Sequence, residues 1–428
     1  MRSGVESIRN KVRGRRSITA HLFFKSIEDA SGGDEVELNK GELSVIHKLR
    51  FHSLIHPCAR PAPPRSQMVS RTTVTKSRRS NPTLPFDLVE DILYRLPVKS
   101  LAQFKSVSKS WKSLISDSNF TKKNLRVSTT SHRLLFPKLT KGQYIFNACT
   151  LSSLITTKGT ATAMQHPLNI RKFDKIRGSC HGILCLELHQ RFAILWNPFI
   201  NKYASLPPLE IPWSNTIYSC FGYDHSTDSY KVAAFIKWMP NSEIYKTYVH
   251  TMGTTSWRMI QDFPCTPYLK SGKFVSWTFN WLAYKDKYSV SSLLVVSLHL
   301  ENESYGEILQ PDYGSVDVLS ISLWVLRDCL SILSNSNTFS DVWLMKEYGN
   351  QDSWTRLFRV PYMGGVGSDP YTKALYVYED DQVLLEYMMK LVVYNSRDGT
   401  FKTLKIQRRR DWMIPEVCQE SLISPCAE

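Results

Sequence analysis

The chain has 428 residues, is 42% hydrophobic, and carries 54 basic against 38 acidic side chains for a formal net charge of +16. Its length suits two or three domains and its apolar content a substantial core, which excludes a wholly disordered chain. The charge does not indicate nucleic acid: roughly +9 lies in residues 1–80, about +3 in 81–125 and about +4 in everything after, so the excess sits mostly in a tail and the folded body is nearly balanced.

Nine cysteines are spread over the length without a paired framework, as expected of free thiols in a reducing compartment. No run of about twenty apolar residues occurs; 293–298 is too short, and 316–333 is interrupted by Asp317, Arg327 and Asp328. With no secretory pattern either, the expectation is a soluble protein of the cytoplasm, the nucleus or both, with no membrane partner.

Residues 1–80 have the composition of a disordered tail, with Arg9, Lys11, Arg13, Arg15 and Arg16 clustered early and a proline-rich stretch at 59–66. Met68 offers an alternative start. His52, His56 and Cys58 have loose metal-ligand spacing, but no second pair follows and structural zinc takes four ligands, so no metal is expected.

Residues 84–120 then pack three short amphipathic helices into about forty residues. Pro85 suits a first helical turn, and Asp87 places negative charge at the positive helix end. Leu88, Ile92 and Leu96 recur at i, i+4 and i+8 with Val89 and Leu93 beside them, and Pro97 stops the helix. Leu101, Phe104 and Val107 mark a second helix; Trp111, Leu114 and Ile115 mark a third. A unit this small has too little core to bury all of its apolar faces, so the rest of the chain or a partner must cover them.

After Phe120 helical periodicity gives way to short aromatic or β-branched runs broken by Asn, Asp, Gly and Pro, spaced like antiparallel meanders. Stretches with a polar or aromatic turn recur, four of them ending in an apolar-proline stop: WNPFINKYASLPP, GTTSWRMIQDFP, ENESYGEILQP, NQDSWTRLFRVP and NSRDGTFKTLKI. Their period of about 45 to 57 residues predicts an all-β propeller of roughly six blades. Trp196, Trp257 and Trp354 then fill the wedges between blades.

No active site emerges. The glycines at 364, 365 and 367 lack the Lys-Ser/Thr of a phosphate loop, and no GxSxG elbow occurs. Asp224, Asp228, Asp312 and Asp341 read as loop and turn formers, and His225 and His250 have no fixed acid partner. No cofactor is expected.

The helical stretch resembles the F-box, on Leu84-Pro85, Asp87-Leu88, Ile92-Leu93, the run from Arg95 to Leu101, Phe104-Lys105, Val107, Lys109-Ser110-Trp111 and Leu114-Ile115. Ser108 stands where that family usually has cysteine, and Gln103 where a basic residue is frequent. The later motifs GSCHGILCL, LWNPFINKYASLPP, FGYDHSTDSYKV and CQESLISP resemble the F-box-associated propeller of plant F-box proteins, with His181 in place of the common Asn. The resemblance implies a disordered tail over 1–80, an F-box over 81–125 and a propeller over 126–428. It also implies a non-catalytic substrate receptor of an SCF-type ubiquitin ligase. A Skp-like adaptor would bind Leu84, Pro85, Leu88, Ile92, Leu93, Leu96, Pro97, Leu101, Phe104, Val107, Trp111 and Leu114, with Trp111 either an anchor or an internal pin. A cullin and RING subunit would join indirectly. An unknown protein target would meet propeller loops at 212–215, 237–242, 267–272 and 363–369, with Trp213, Trp238 and Tyr268 as candidate anchors. The alternatives are a lectin-like receptor for a glycoprotein, or an F-box protein acting outside a ligase.

Overall fold

The computed structural model describes residues 86–127, 132–140, 143–155, 162–166, 175–188, 192–209, 217–239, 242–286, 292–363, 369–404 and 415–426. The basic tail, the proline-rich stretch, Met68, the His52/His56/Cys58 group, Leu84, Pro85 and Trp213 lie outside them.

The chain divides into two units, one ending at Tyr94 and one running from Arg95. The described part of the first is helix α1, Phe86–Leu93, followed by a turn through Tyr94; Leu93 is fully buried and Ile92 half-buried. Leu96, three residues past the end of α1, therefore does not continue its stripe.

The second unit opens with α2 (Val98–Phe104), α3 (Lys109–Ser116) and α4 (Ser118–Val127). Pro97 is the N-cap of α2, with its carbonyl accepting from the amides of Ser100 and Leu101. Ser108 caps α3, its hydroxyl accepting from the Trp111 amide at 3.2 Å. Asp117 caps α4 by accepting from the amides of Asn119 and Phe120. The apolar spacing predicts three helices and an end of helical periodicity at Phe120; α4 extends the helical region to Val127. A helix over 118–127 has low mean hydropathy because only Phe120, Thr121, Asn124 and Leu125 turn inward, too few polar-to-apolar alternations to register against a polar remainder.

Six sheets follow. Blade 1 is β4 (Lys175–Cys180), β5 (Ile183–Leu188), β6 (Phe192–Asn197) and β7 (Lys202–Ser205). Blade 2 is β8 (Ile217–Asp224), β9 (Ser229–Lys237), β10 (Tyr245–Thr251) and β11 (Arg258–Met259). Blade 3 has its inner edge split into β12 (Thr266–Pro267) and β13 (Lys273–Val275), then β14 (Thr278–Tyr284), β15 (Leu293–His299) and β16 (Tyr305–Ile308). Blade 4 is β17 (Ser320–Leu326), β18 (Cys329–Asn335), β19 (Phe339–Met345) and β20 (Trp354–Pro361). Blade 5 is β21 (Lys373–Val377), β22 (Gln382–Tyr387), β23 (Lys390–Asn395) and β24 (Thr400–Thr403).

Blade 6 joins the two ends of the unit. Its β1 (His132–Thr140), β2 (Gln143–Thr150) and β3 (Thr162–Gln165) come before blade 1, with a short α5 (Leu151–Ile155) between β2 and β3. Its inner strand is β25, Glu416–Gln419, paired antiparallel with β1. The innermost strands β4, β8, β13, β17, β21 and β25 touch in turn and close a ring around the axis. This is the six-bladed propeller that the repeat period predicts. The five recurring stretches lie at the outer, third-to-fourth strand segments of blades 1 to 5; blade 6 has α5 there instead.

The core is a set of seams between blades. Leu184 and Leu186 pack against blade 6 with Phe146 and Trp196, while Ile183 and Cys185 of the same strand pack against Phe221 and Val232 of blade 2. Strand residues alternate faces, and both faces are covered, so the strands read as nearly continuous apolar runs. Trp196 is fully buried against Phe146 and His166, Trp354 reaches the Leu309 carbonyl of blade 3 through its indole N–H, and half-buried Trp257 reaches that of Pro207.

Candidate functional site

The propeller has two inequivalent faces. Turns joining first to second and third to fourth strands lie where the inner strands end; the other connections lie where they begin.

Helix α4 sits against the first of these faces. The Gln419 side-chain amide donates to the Leu125 carbonyl at 2.9 Å, and Lys122 Nζ contacts both oxygens of Asp228 at 2.6 Å. The ion pair is exposed and contributes at most about 1 kcal/mol; burial of Phe120 and Leu125 does more. A cleft of about 1050 Å³ remains between α2–α4 and this face, lined among others by Lys122, Arg126, His181, Tyr223, His225 and Trp277. Burial pushes the His181 imidazole down to about 4, with Arg126 and Lys122 adding to the effect, so it is neutral at pH 7. Its Nδ1 lies 3.1 Å from the Tyr230 hydroxyl. His181 has φ 50° and Gly182 φ 79°, the left-handed two-residue hairpin turn in which Asn-Gly is favoured. A Cβ on Gly182 would stand 2.4 Å from the Ser421 hydroxyl, so the turn admits glycine alone there.

The turn at Ser276 and Trp277 has the same left-handed geometry, at φ 48° and 62°. Trp277 is 53% exposed and stacks on His225 at 5.1 Å and 21°. Sequence spacing does not single out this residue. Its signal is the missing Asn or Gly between two strand-like runs, where a bulky side chain must accept αL backbone.

The acidic residues considered for chemistry are structural. Asp224 is buried; burial opposes its charge, yet Lys231, Thr227 and Ser226 donate to it and hold its carboxyl at about 2. Asp312 accepts from the Gly314 amide in a turn. Asp341 lies within β19 and not in a loop, where it takes two hydrogen bonds from Arg359 at 2.8 and 2.7 Å.

Of the helical candidates, Leu93, Leu101 and Phe104 are buried and support their helices from beneath. Pro97 is exposed, and Ile92, Leu96, Val107, Trp111 and Leu114 are half-buried and reachable. The Leu88 side chain falls outside the described residues. Trp111 packs edge-to-face on Phe104 at 5.5 Å and 88° while keeping part of its surface open, so pin and anchor are compatible.

On the face away from α4, Trp238 is 38% exposed, with exposed Met239 and Ile244 on the same β9–β10 connection. Met388, Met389, Met363, Leu309 and Leu319 are exposed on other connections of that face. Tyr268 differs from the expectation of a loop anchor: it packs edge-to-face on Tyr284 in the seam between blades 3 and 4, because β12 and β13 fold the 267–272 stretch into the inner edge of the blade.

With both faces described, the relationship to known proteins is decisive. The family model for the F-box associated beta propeller domain matches residues 133–414, and that for the F-box domain matches 82–123. The chain belongs to the F-box proteins with an associated β-propeller. It is 30% identical to the F-box/kelch-repeat protein At3g23880 of Arabidopsis thaliana, over 76% of this chain and 92% of that one. It is 27% identical to F-box protein CPR1 of the same plant, over 80% and 89% respectively. In F-box terms, α1 to α3 and the start of α4 are the module that the resemblance identified, and the propeller is its associated domain.

Proposed function

We propose that this F-box protein is the substrate receptor of an SCF-type ubiquitin ligase. It binds a Skp-like adaptor through the F-box and a protein target through the propeller face away from α4. The carrying observation is the separation of two apolar surfaces by a closed scaffold. Leu96, Pro97, Val107, Trp111 and Leu114 stay accessible at the helices, while Trp238 and the exposed methionines lie on the opposite propeller face. Methionine-rich surfaces adapt to the shape of a partner, which suits target capture. The chain contributes no bond chemistry on this reading: it holds target and conjugation machinery together and so raises effective concentration.

Nothing favours the lectin-like alternative specifically, since Tyr268 is committed to a blade seam. The adaptor assignment is tested by pulldown of a Skp-like adaptor with Leu96→Ala/Pro97→Ala. Apolar anchors at an interface centre cost about 2 kcal/mol or more when truncated, so capture should be lost while the propeller's circular dichroism and melting are kept. Undiminished capture would refute the docking surface.

A further inference from the structure

The cleft between α2–α4 and the propeller crosses the turns of three successive blades. Its wall includes Phe199 and Lys202 at the β6–β7 turn of blade 1, Tyr223 and His225 at the β8–β9 turn of blade 2, and Trp277 at the β13–β14 turn of blade 3. A volume of about 1050 Å³ spread over three blades suits a stretch of extended chain better than one compact molecule.

Two features of the lining are not used up by the fold. The first is charge. Lys105, Lys122, Arg126 and Lys202 line the cleft against one carboxylate, Asp228, among the described residues. Asp228 is already engaged by Lys122 and by the Tyr223 hydroxyl. Beside the cleft, Asp117 and Asp328 are offset by Lys123 and Arg327, cations of α4 and of the β17–β18 turn. Lys202 and Arg126 are exposed, and neither forms an ion pair among the described residues. The second feature is the Trp277 ring. Its backbone is held left-handed at φ 62°, and its ring stacks on His225 while half of its surface stays open. Backbone strain of this kind concentrates at functional sites, and a flat open ring accepts another aromatic ring in a stacked or edge-on arrangement.

We propose that this cleft binds an acidic peptide segment of a partner protein, with an aromatic side chain packed on Trp277 and flanking carboxylates paired with Arg126 and Lys202. Charge complementarity selects the occupant, since a basic segment would be repelled by the four lining cations. The site goes beyond the proposed function: it shares no residue with the adaptor surface or with the opposite propeller face, so each can fail without the other.

The test is isothermal titration calorimetry on the full-length chain with three blocked pentapeptides. One has tryptophan flanked on each side by two glutamates, one replaces the glutamates by glutamines, and one replaces the tryptophan by alanine. The expected result is saturable binding of the first, weakening as salt is raised, and binding about fivefold weaker for each of the others. Trp277→Asn, which suits the turn, should weaken the first peptide about fivefold in a chain that melts no earlier. Arg126→Gln/Lys202→Gln should weaken it about tenfold, and Arg126→Lys/Lys202→Arg should retain it. No saturable binding, or equal binding by Trp277→Asn or by the double glutamine variant, would overturn the site. Leu96→Ala/Pro97→Ala should bind as the natural chain does; a loss there would move the peptide to the adaptor surface and overturn the site as well. Displacement of the peptide by an equal concentration of N-acetyltryptophan would show that the cleft takes a compact acid and overturn the peptide assignment.

Discussion

Trp277 occupies a backbone conformation that a bulky side chain seldom adopts, and it does so while half exposed beside His225. Left-handed strain of this kind costs roughly 1–3 kcal/mol, and one exposed ring contact returns less. Trp277→Asn, which suits the turn, should therefore raise the unfolding free energy by about 1 kcal/mol in denaturant titration; a loss of stability would show that stacking outweighs strain. A second residue-scale effect is acid sensitivity. His166 is 1% exposed and packs on Trp196 and Tyr203, and burial pushes its imidazole from 6.5 down to about 4. The unfolded chain then takes up a proton below pH 6.5 that the folded chain refuses until about pH 4. Stability is complete above pH 6.5 and falls through that window, by about 3 kcal/mol at its lower end. Melting at pH 7.5 and pH 5 should show the drop, and His166→Phe should reduce it; an equal drop in the variant would assign the effect elsewhere.

At the scale of elements, what was readable depended on whether neighbours changed the pattern. Strands such as β5 and β9 were evident because both of their faces meet other blades, and the apolar run follows directly. The helices α2 and α3 were evident from apolar spacing and their prolines and caps. Helix α4 was not, since its packing is decided by the propeller surface and by Gln419, nearly 300 residues later in the chain. Tyr268 and Trp277 escaped for the same reason, as exposure is set by how a loop folds and not by its composition. Closure of the ring also depends on a distant segment. Deleting everything after residue 414 removes β25 and leaves β1 without its inner partner. The truncated chain is expected to lose cooperative unfolding by calorimetry; a transition like that of the full chain would show the ring closes without β25. Within α4, Leu125→Ala should cost about 2–4 kcal/mol, seen as earlier proteolysis of the helices than of the propeller.

For the whole molecule, the blade number followed from period and spacing, whereas contacts across the ring did not. Arg177 reaches the carbonyls of Ile217 and Lys270, and Lys373 reaches Glu416, because each starts from an innermost strand, a juxtaposition only the closed ring creates. The same ring makes one rigid platform of the face away from α4 and gives α4 a fixed seat on the other. The proposed function ties this platform to a ligase scaffold through the F-box. Its most direct test is reconstitution of the full-length chain with a Skp-like adaptor and a cullin–RING pair, followed by size-exclusion chromatography. The expected result is a single complex containing all components, from which the adaptor, cullin and RING subunit are lost with Leu96→Ala/Pro97→Ala. A chain–adaptor complex that leaves the cullin in a separate peak would contradict it.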